Sequence, residues 1–333
     1  MQTENKSCYY FYLKYGERAD MGDYLSVIVP SFNEEEMINI TANTLSNVLR
    51  KANIPHEIIF VDDGSSDSTW AKILKAEDSI PSVRGVRFSR NFGKESAIIA
   101  GLSASKGDCC VVIDCDLQHP PVKIVEMYNL WKQGYEIVEG VKSNRGEESK
   151  AHSFAAKTFY ALISKATGVH LENTSDFKLL DRKAVNVLIN MPERNAFFRA
   201  MSSWIGFKTT KVTFDVQERE AGTSKWNTKK LIKYALTNIS SFTTAPMQIV
   251  TILGAIMLVV AIILGIVALV QKATGYALGG FTTVILIELF SASIIMISLG
   301  IIGYYIARIY EEIKGRPKYI VAETCGENNE KHD

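Results

Sequence analysis

Two carboxylates stand one residue apart in DCDLQHPP (Asp114–Pro121), directly after the apolar run Cys109–Ile113. Side chains two apart on an extended chain point the same way, so Asp114 and Asp116 place like charges together. The expectation is that only a divalent cation relieves that repulsion. Oxygen donors suit Mg²⁺ or Mn²⁺, with the remaining positions left to water and substrate phosphates. Other polar residues follow other apolar runs in the same way. Pro30, Asn33 and Glu34 close or follow LSVIVP; Asp62 and Asp63 end EIIFVDD; Arg90 and Lys94 follow VRGVRF.

These runs must be positioned by a fold. LSVIVP (Leu25–Pro30), EIIFVDD (Glu57–Asp63), VRGVRF (Val83–Phe88), CCVVID (Cys109–Asp114) and YEIVEG (Tyr135–Gly140) read as five strands. Segments with helical patterning alternate with them, which predicts an α/β domain with a mostly parallel sheet covered on both faces. In such sheets ligands bind beyond the carboxyl ends of the strands. That is the rim where the polar residues collect. The chain has no G-x-G-x-x-G and no G-x-x-x-x-G-K-[ST], so dinucleotide-binding and P-loop chemistries lack their phosphate cradle.

Composition changes after Lys233. No Asp, Glu, Lys or Arg occurs from Tyr234 to Gln271. Ile249–Val270 is long enough to cross a bilayer, about 20 apolar residues being needed. A second apolar run, Phe281–Ile306, carries a single charge, Glu288, an ionisable group that is a functional candidate by position. Lys225, Lys229, Lys230 and Lys233 precede the first run; Arg308, Lys314, Arg316 and Lys318 follow the second; the connection holds Lys272 alone. This bias predicts a two-helix membrane hairpin with the large domain and both termini in the cytoplasm. Lys225–Gln248 mixes basic, aromatic and apolar residues as a helix lying in the interface does; Ala151–Thr167 has a similar mixture and reads equally as an amphipathic helix packed on the core. Pro246 would separate the former from the first span. The expected organisation is an extension over 1–23, the α/β domain over 24–222, an interfacial segment over 223–248, the hairpin over 249–307 (spans at about 249–270 and 281–306), and a tail over 308–333.

The 333 residues carry 37 Lys+Arg and 36 Asp+Glu, so no basic field argues for a nucleic-acid partner. Five cysteines, three of them around the paired aspartates, argue against a secreted disulfide framework. Cys109, Cys110 and Cys115 are expected as small buried residues. The charged N-terminus lacks the apolar core of a signal peptide.

In order and spacing, VIVPSFNEEE, VDDGSSDST, SRNFGKESA, DCDLQHPP, SDFKLLDRKAV, NAFFRAMSSWIG and EREAGTSKW, followed by two spans, resemble glycosyltransferase family 2. Within it they resemble the polyprenyl-phosphate glycosyltransferases, such as bactoprenol glucosyltransferases and dolichol-phosphate mannose synthase. The match runs from about Leu25 to Lys318. The resemblance implies a GT-A fold, Rossmann-like, followed by interfacial helices and the hairpin. It implies uridine contacts at Pro30, Glu34, Asp62 and Asp63, with Asn33, Arg90, Lys94 and Gln118 in the same nucleotide-sugar site. It makes Asp114 and Asp116 the metal motif, Asp116 the principal ligand, with Gln118 beside it. It puts Asp176 where relatives carry a residue called the catalytic base. Arg199, Arg219, Ser224 and Lys225 would face the acceptor phosphate and donor pyrophosphate, with Lys142 and Arg145 as further basic partners. Lys178 and Ala200 depart from the Arg and Gly usual at those positions, and Lys142 is a milder change. No Q-x-x-R-W of processive polymerases is present, so one sugar per acceptor is expected. The implied reaction is inverting transfer from a UDP-sugar, glucose or GlcNAc favoured, to undecaprenyl phosphate at the cytoplasmic membrane face, in a chain whose two-helix anchor invites self-association among membrane lipid. The alternatives are another donor, such as GDP-mannose or an amino-deoxy sugar nucleotide, and a non-catalytic membrane scaffold. The acceptor's phosphate, with its second pKa near about 6, is mostly ionised at neutral pH. Asp176 is therefore open to two roles, a base or an orienting group.

Overall fold

The computed structural model describes residues 23–143, 174–193, 197–215, 245–274 and 280–326. One sheet of eight strands organises the first part: β1 (Leu25–Ser31), β2 (His56–Asp62), β3 (Val83–Phe88), β4 (Cys109–Val112), β5 (Ile137–Lys142), β6 (Thr174–Asp181), β7 (Thr209–Phe214) and β8 (Val321–Cys325). Their order across the sheet is β7-β5-β6-β4-β1-β2-β3-β8. Strands β4, β1, β2 and β3 run parallel, with Val27 beside both Ile58 and Val111. Valine or isoleucine recurs in each of the four, as suits a pleated surface packed on both sides.

Helices α1 (Ile38–Lys51), α2 (Thr69–Ser79), α3 (Lys94–Ala104), α4 (Val122–Lys132), α5 (Arg182–Ile189) and α6 (Phe198–Trp204) cover the two faces. Strand alternation decides which face each residue serves. Val27, Val29, Ile58 and Phe60 pack with Leu45 of α1, Ile73 of α2 and Met127 of α4. Ile28, Ile59 and Val61 point the other way, to Ile98 and Leu102 of α3, Val185 of α5 and Met201 of α6. The buried apolar residues of α1 are Ile38, Ala42, Leu45 and Leu49, one helical face. Cys109, Cys110 and Cys115 are buried and free, and burial raises all three thiols. They serve as small core residues.

The sheet is larger and less uniform than the five expected strands. The motif SDFKLLD is itself a strand, β6, inserted antiparallel between β4 and β5. β5 runs two residues later than predicted and pairs in parallel with β7. β4 ends at Val112, so Asp114 lies on the loop beyond it. The segment expected as a tail contributes β8, which pairs antiparallel with the open edge of β3. An unpaired sheet edge is a liability, and a covering strand removes it.

Both apolar runs are helical: α7 (Ala245–Ala273) and α8 (Phe281–Ile313). Pro246 sits in the first turn of α7, where its missing N–H costs no helix bond. Val250–Gln271 and Ile287–Ile313 are long and apolar enough to cross a membrane, with mean hydropathies of 3.2 and 2.0 and none of either window buried. Core helices of a soluble domain would be covered; these present isoleucine, leucine and valine outward, as lipid-facing helices do. The helices expected over Lys225–Gln248 and Ala151–Thr167 lie outside the described residues, save the start of α7.

Gly101 of α3 rests directly on β1, and a Cβ there would overlap Ile28. Gly101→Ala gains about 1 kcal/mol of helix propensity but overpacks a site that typically answers with about 1–3 kcal/mol. Net destabilisation is expected, measured as a lowered midpoint of thermal unfolding. A raised midpoint would show that α3 yields without strain.

Candidate active site

The carboxyl ends of β1, β2 and β3 form an interlocked floor. Asp62 Oδ1 accepts from the Ser65 N–H at 2.9 Å. Asn33, at φ +53°, accepts from the Ser66 N–H at 2.9 Å and donates its own N–H to Ser65 Oγ at 2.8 Å. The Glu34 N–H donates to Thr69 Oγ1 at 2.9 Å. Asp63 accepts from the Phe92 N–H at 2.6 Å and the Gly93 N–H at 2.9 Å, which binds the loop before α3. Burial pushes the Asp63 carboxyl up to about 6, against those two donors and helped by Asp62. Gly64, at φ +67°, lies where a Cβ would strike the Arg90 backbone. The Arg90 guanidinium covers the Phe92 ring at 4.3 Å. Pro30 is buried in β1 beside Val61.

Beyond β4 the charges meet. Lys94, the first residue of α3, puts its Nζ 2.6 Å from Asp114 Oδ1 and 2.9 Å from Asp176 Oδ2. Arg199 of α6 grips Asp176 with two nitrogens, Nε to Oδ1 at 3.0 Å and Nη2 to Oδ2 at 2.9 Å. Such two-point ion pairs fix geometry as well as charge. Burial would raise the Asp176 carboxyl, but the Lys94 and Arg199 charges outweigh it and hold it far below the usual carboxylate range. Burial likewise opposes the Lys94 charge, yet Asp114 and Asp176 raise its pKa. The expectation that only a divalent ion could relieve Asp114 is thus corrected: its counter-charge in the protein is the Lys94 ammonium.

Two carboxylates absent from the expected site hold this arrangement. Glu95 Oε2 accepts from the Phe198 N–H at 2.9 Å, at the start of α6. Its carboxyl is raised to about 7 by burial and by Asp176. Glu139 of β5 pairs with Lys178 at 2.7 Å, both buried. Lys178 Nζ also donates to the Arg199 carbonyl at 3.2 Å and to Ser202 Oγ at 2.9 Å, so it ties β6 to the helix that carries Arg199. Burial lowers its pKa despite Glu139. A signal existed for both acids: Glu95 adjoins Lys94, and Glu139 interrupts an apolar strand.

Asp116 is nearly buried, and its Oδ1 accepts from the Gln118 N–H at 3.2 Å across Leu117, which sits at φ +53°. His119 stacks on Phe177 with ring centroids 5.1 Å apart, and burial lowers its pKa. Asp114 and Asp116 are hard oxygen donors that fit Mg²⁺ or Mn²⁺. Among the described residues no group of three or more His, Cys, Asp or Glu could hold a metal ion. An ion here would draw its other oxygens from water and phosphate. The structure therefore brings Lys94, Asp114, Asp176 and Arg199 together, with the floor of Asn33, Glu34, Asp62 and Asp63 at and just beyond the ends of β1 and β2. Lys142 ends β5 and is exposed. Arg145, Arg219, Ser224 and Lys225 lie outside the described residues.

Because the folded-state pKa of Asp176 is depressed, its ionisation stabilises the protein above the unfolded carboxylate pKa and that stability is lost as pH falls through the depressed value. Asp176→Asn leaves two partly buried cations short of a partner, and about 2 kcal/mol of stability at pH 7 is expected to go. The gap from the parent protein should narrow below about pH 4. Urea unfolding at pH 7 and pH 3.5 reads both, and a gap that widens in acid would contradict the assignment.

The sequence pattern of glycosyl transferase family 2 matches residues 26–201. An uncharacterised glycosyltransferase of Synechocystis sp. is 38% identical over 304 residues, covering 91% of this chain and 96% of its own. A prophage bactoprenol glucosyl transferase homolog of Escherichia coli is 38% identical, over 89% of this chain and 98% of its own. Among solved structures, glucosyl-3-phosphoglycerate synthase from Mycobacterium tuberculosis with Mn²⁺ and uridine-diphosphate-glucose is 20% identical, covers 66% of this chain and 78% of that one, and has a TM-score of 0.45. That likeness is too loose to carry a site across. The family pattern spans the strands that build the charged rim, and the relatives align over nearly the whole chain: it belongs to glycosyltransferase family 2.

Proposed function

We propose that this glycosyltransferase transfers one sugar from a UDP-sugar, glucose or GlcNAc, to undecaprenyl phosphate at the cytoplasmic membrane face, with inversion. One observation carries the reading. A rim of paired carboxylates and fixed cations shares a chain with two outward-facing apolar helices of membrane length. A water-soluble donor and a lipid-bound acceptor require that combination. The bactoprenol glucosyl transferases among the relatives support the acceptor class.

A phosphate oxygen of the acceptor attacks the anomeric carbon on the face opposite UDP. The carbon–oxygen bond to UDP breaks, and UDP leaves with the electron pair. Asp114 and Asp116 would hold a divalent cation, which when bound supplies charge for the leaving diphosphate. The acceptor phosphate is already ionised at neutral pH, so the step needs no strong base. Asp176 suits orientation better. It is held ionised, and both its oxygens are engaged by Lys94 and Arg199. A general base works best with a pKa near the operating pH. We read Asp176 as the anion that aims two cations at phosphate oxygens, with Lys142, Arg145, Arg219, Ser224 and Lys225 as further phosphate partners. Pro30, Asn33, Glu34, Asp62, Asp63 and Arg90 form the nucleotide floor, and Gln118 borders the metal position. Asp62 and Asp63 are buried and committed to loop N–H groups, so they shape that floor from beneath.

The test is a donor panel of UDP-glucose, UDP-GlcNAc and GDP-mannose, offered with Mn²⁺ and undecaprenyl phosphate to the full chain in nanodiscs. Mass spectrometry of the lipid is expected to show one added hexose or N-acetylhexosamine from a UDP-sugar. No lipid product from any donor would sink the proposal. On the same assay Asp116→Asn should cost about 10²-fold or more. Asp114→Asn should cost less, and equal losses would contradict unequal roles for the two aspartates.

A further inference from the structure

Strand β8 and the two residues before it belong to none of the motifs that mark the site, yet they reach the nucleotide floor by two separate routes. Only residues 314–320 separate β8 from the end of α8. At full extension that connection spans at most about 29 Å, so the helix end and the β3 edge are held close.

The first route is electrostatic. Glu323 Oε2 accepts from Trp70 Nε1 at 2.8 Å, and its Oε1 pairs with Arg87 Nη1 at 2.8 Å. The other side of that guanidinium faces Asp62, with Nε 3.5 Å from Oδ2. Asp62 is fully buried, and this oxygen accepts no hydrogen bond among the described residues. A buried carboxylate depends on its counter-charge, and Arg87 supplies it. The second route is aromatic. Tyr319 stacks on Phe88 at 5.1 Å and 13° between ring planes; Phe88 meets Phe92 edge-on at 5.7 Å; the Phe92 N–H donates to Asp63. The Ser89 N–H, bonded to the Ile320 carbonyl at 3.0 Å, ties the backbones between the two routes. Gly85 lets the strand close in, since a Cβ there would sit 2.7 Å from Cys325 Sγ.

We propose that the segment following the second apolar helix, from Tyr319 through β8, positions the Asp62–Asp63 pair, and that Glu323 and Tyr319 are positioning residues that set the affinity for a nucleoside diphosphate. This rests on the reading of Asp62 and Asp63 as the nucleotide floor. It gives the tail a task beyond covering a sheet edge: the segment that emerges from the membrane helix holds the residues beneath the donor. Exposed ion pairs add little stability, and the Glu323 side chain is half exposed. Glu323→Gln therefore leaves the fold in place while loosening Arg87.

The experiment titrates UDP with Mn²⁺ into the full chain in nanodiscs by calorimetry, beside donor kinetics and thermal unfolding. Glu323→Gln and Tyr319→Leu are each expected to weaken UDP binding about fivefold and to raise the donor KM similarly while kcat stays within about twofold. Val321→Thr, an exposed change on the same strand, should leave all three readings at the parent values. Asp63→Asn separates the role of the tail from that of the floor. If it weakens UDP binding and neither tail variant does, the positioning role of the tail is overturned. If it leaves UDP binding unchanged, the nucleotide floor itself is misassigned and the tail inference falls with it.

Discussion

The carboxylate of Asp176 is the point on which the site depends. It lies on β6, between β4 and β5, and both its oxygens meet cations from elsewhere, Lys94 at the start of α3 and Arg199 on α6. Without that anion the two cations would repel one another across a partly buried space. With it they sit as a fixed pair, and Lys94 has reach left for Asp114. One ion cluster thus joins a strand, two helices and the loop after β4. Glu139 and Lys178 repeat the device one layer deeper, where Lys178 binds the Arg199 carbonyl and α6 is held to the sheet from below.

This arrangement shapes the chemistry assigned to the site. A group kept anionic by two cations is a poor proton acceptor, whereas an ionised phosphate acceptor needs aim and charge more than deprotonation. Preorganised charge of this kind stabilises a developing anion without having to reorganise during the reaction. The same economy applies to Asp114. Its charge is already answered by Lys94, so a divalent ion held there would share Asp114 with an existing partner instead of filling an isolated acidic hole.

Much of this was legible in the residues because it rests on local rules. Apolar runs ending in polar turns mark the parallel strands, and their carboxyl ends mark the rim; the long apolar runs mark α7 and α8. What stayed hidden depends on pairings distant in sequence. SDFKLLD carries an aspartate and a lysine inside a strand, which obscures its β character until Phe177, Leu179 and Leu180 are seen buried in the sheet. β8 is five residues long and gains its stability from an edge formed some 230 residues earlier. No local pattern announces that Lys94, Asp114, Asp176 and Arg199 converge. Their meeting follows from strand order, with β6 lying next to β4. Lys178 in place of an arginine marks a departure in sequence; its complete burial against Glu139 explains what a compact ammonium does there.

The claim that Asp176 orients cations and does not accept a proton is open to a direct measurement. It is the rate of lipid glycosylation by the parent enzyme and by Asp176→Asn from pH 6 to pH 9. An orienting anion predicts a loss that does not shrink as the pH rises, because the acceptor, with its second pKa near about 6, ionises alike for both proteins. A loss that shrinks steadily as the pH rises and the acceptor becomes fully ionised would contradict the account and restore Asp176 as a base.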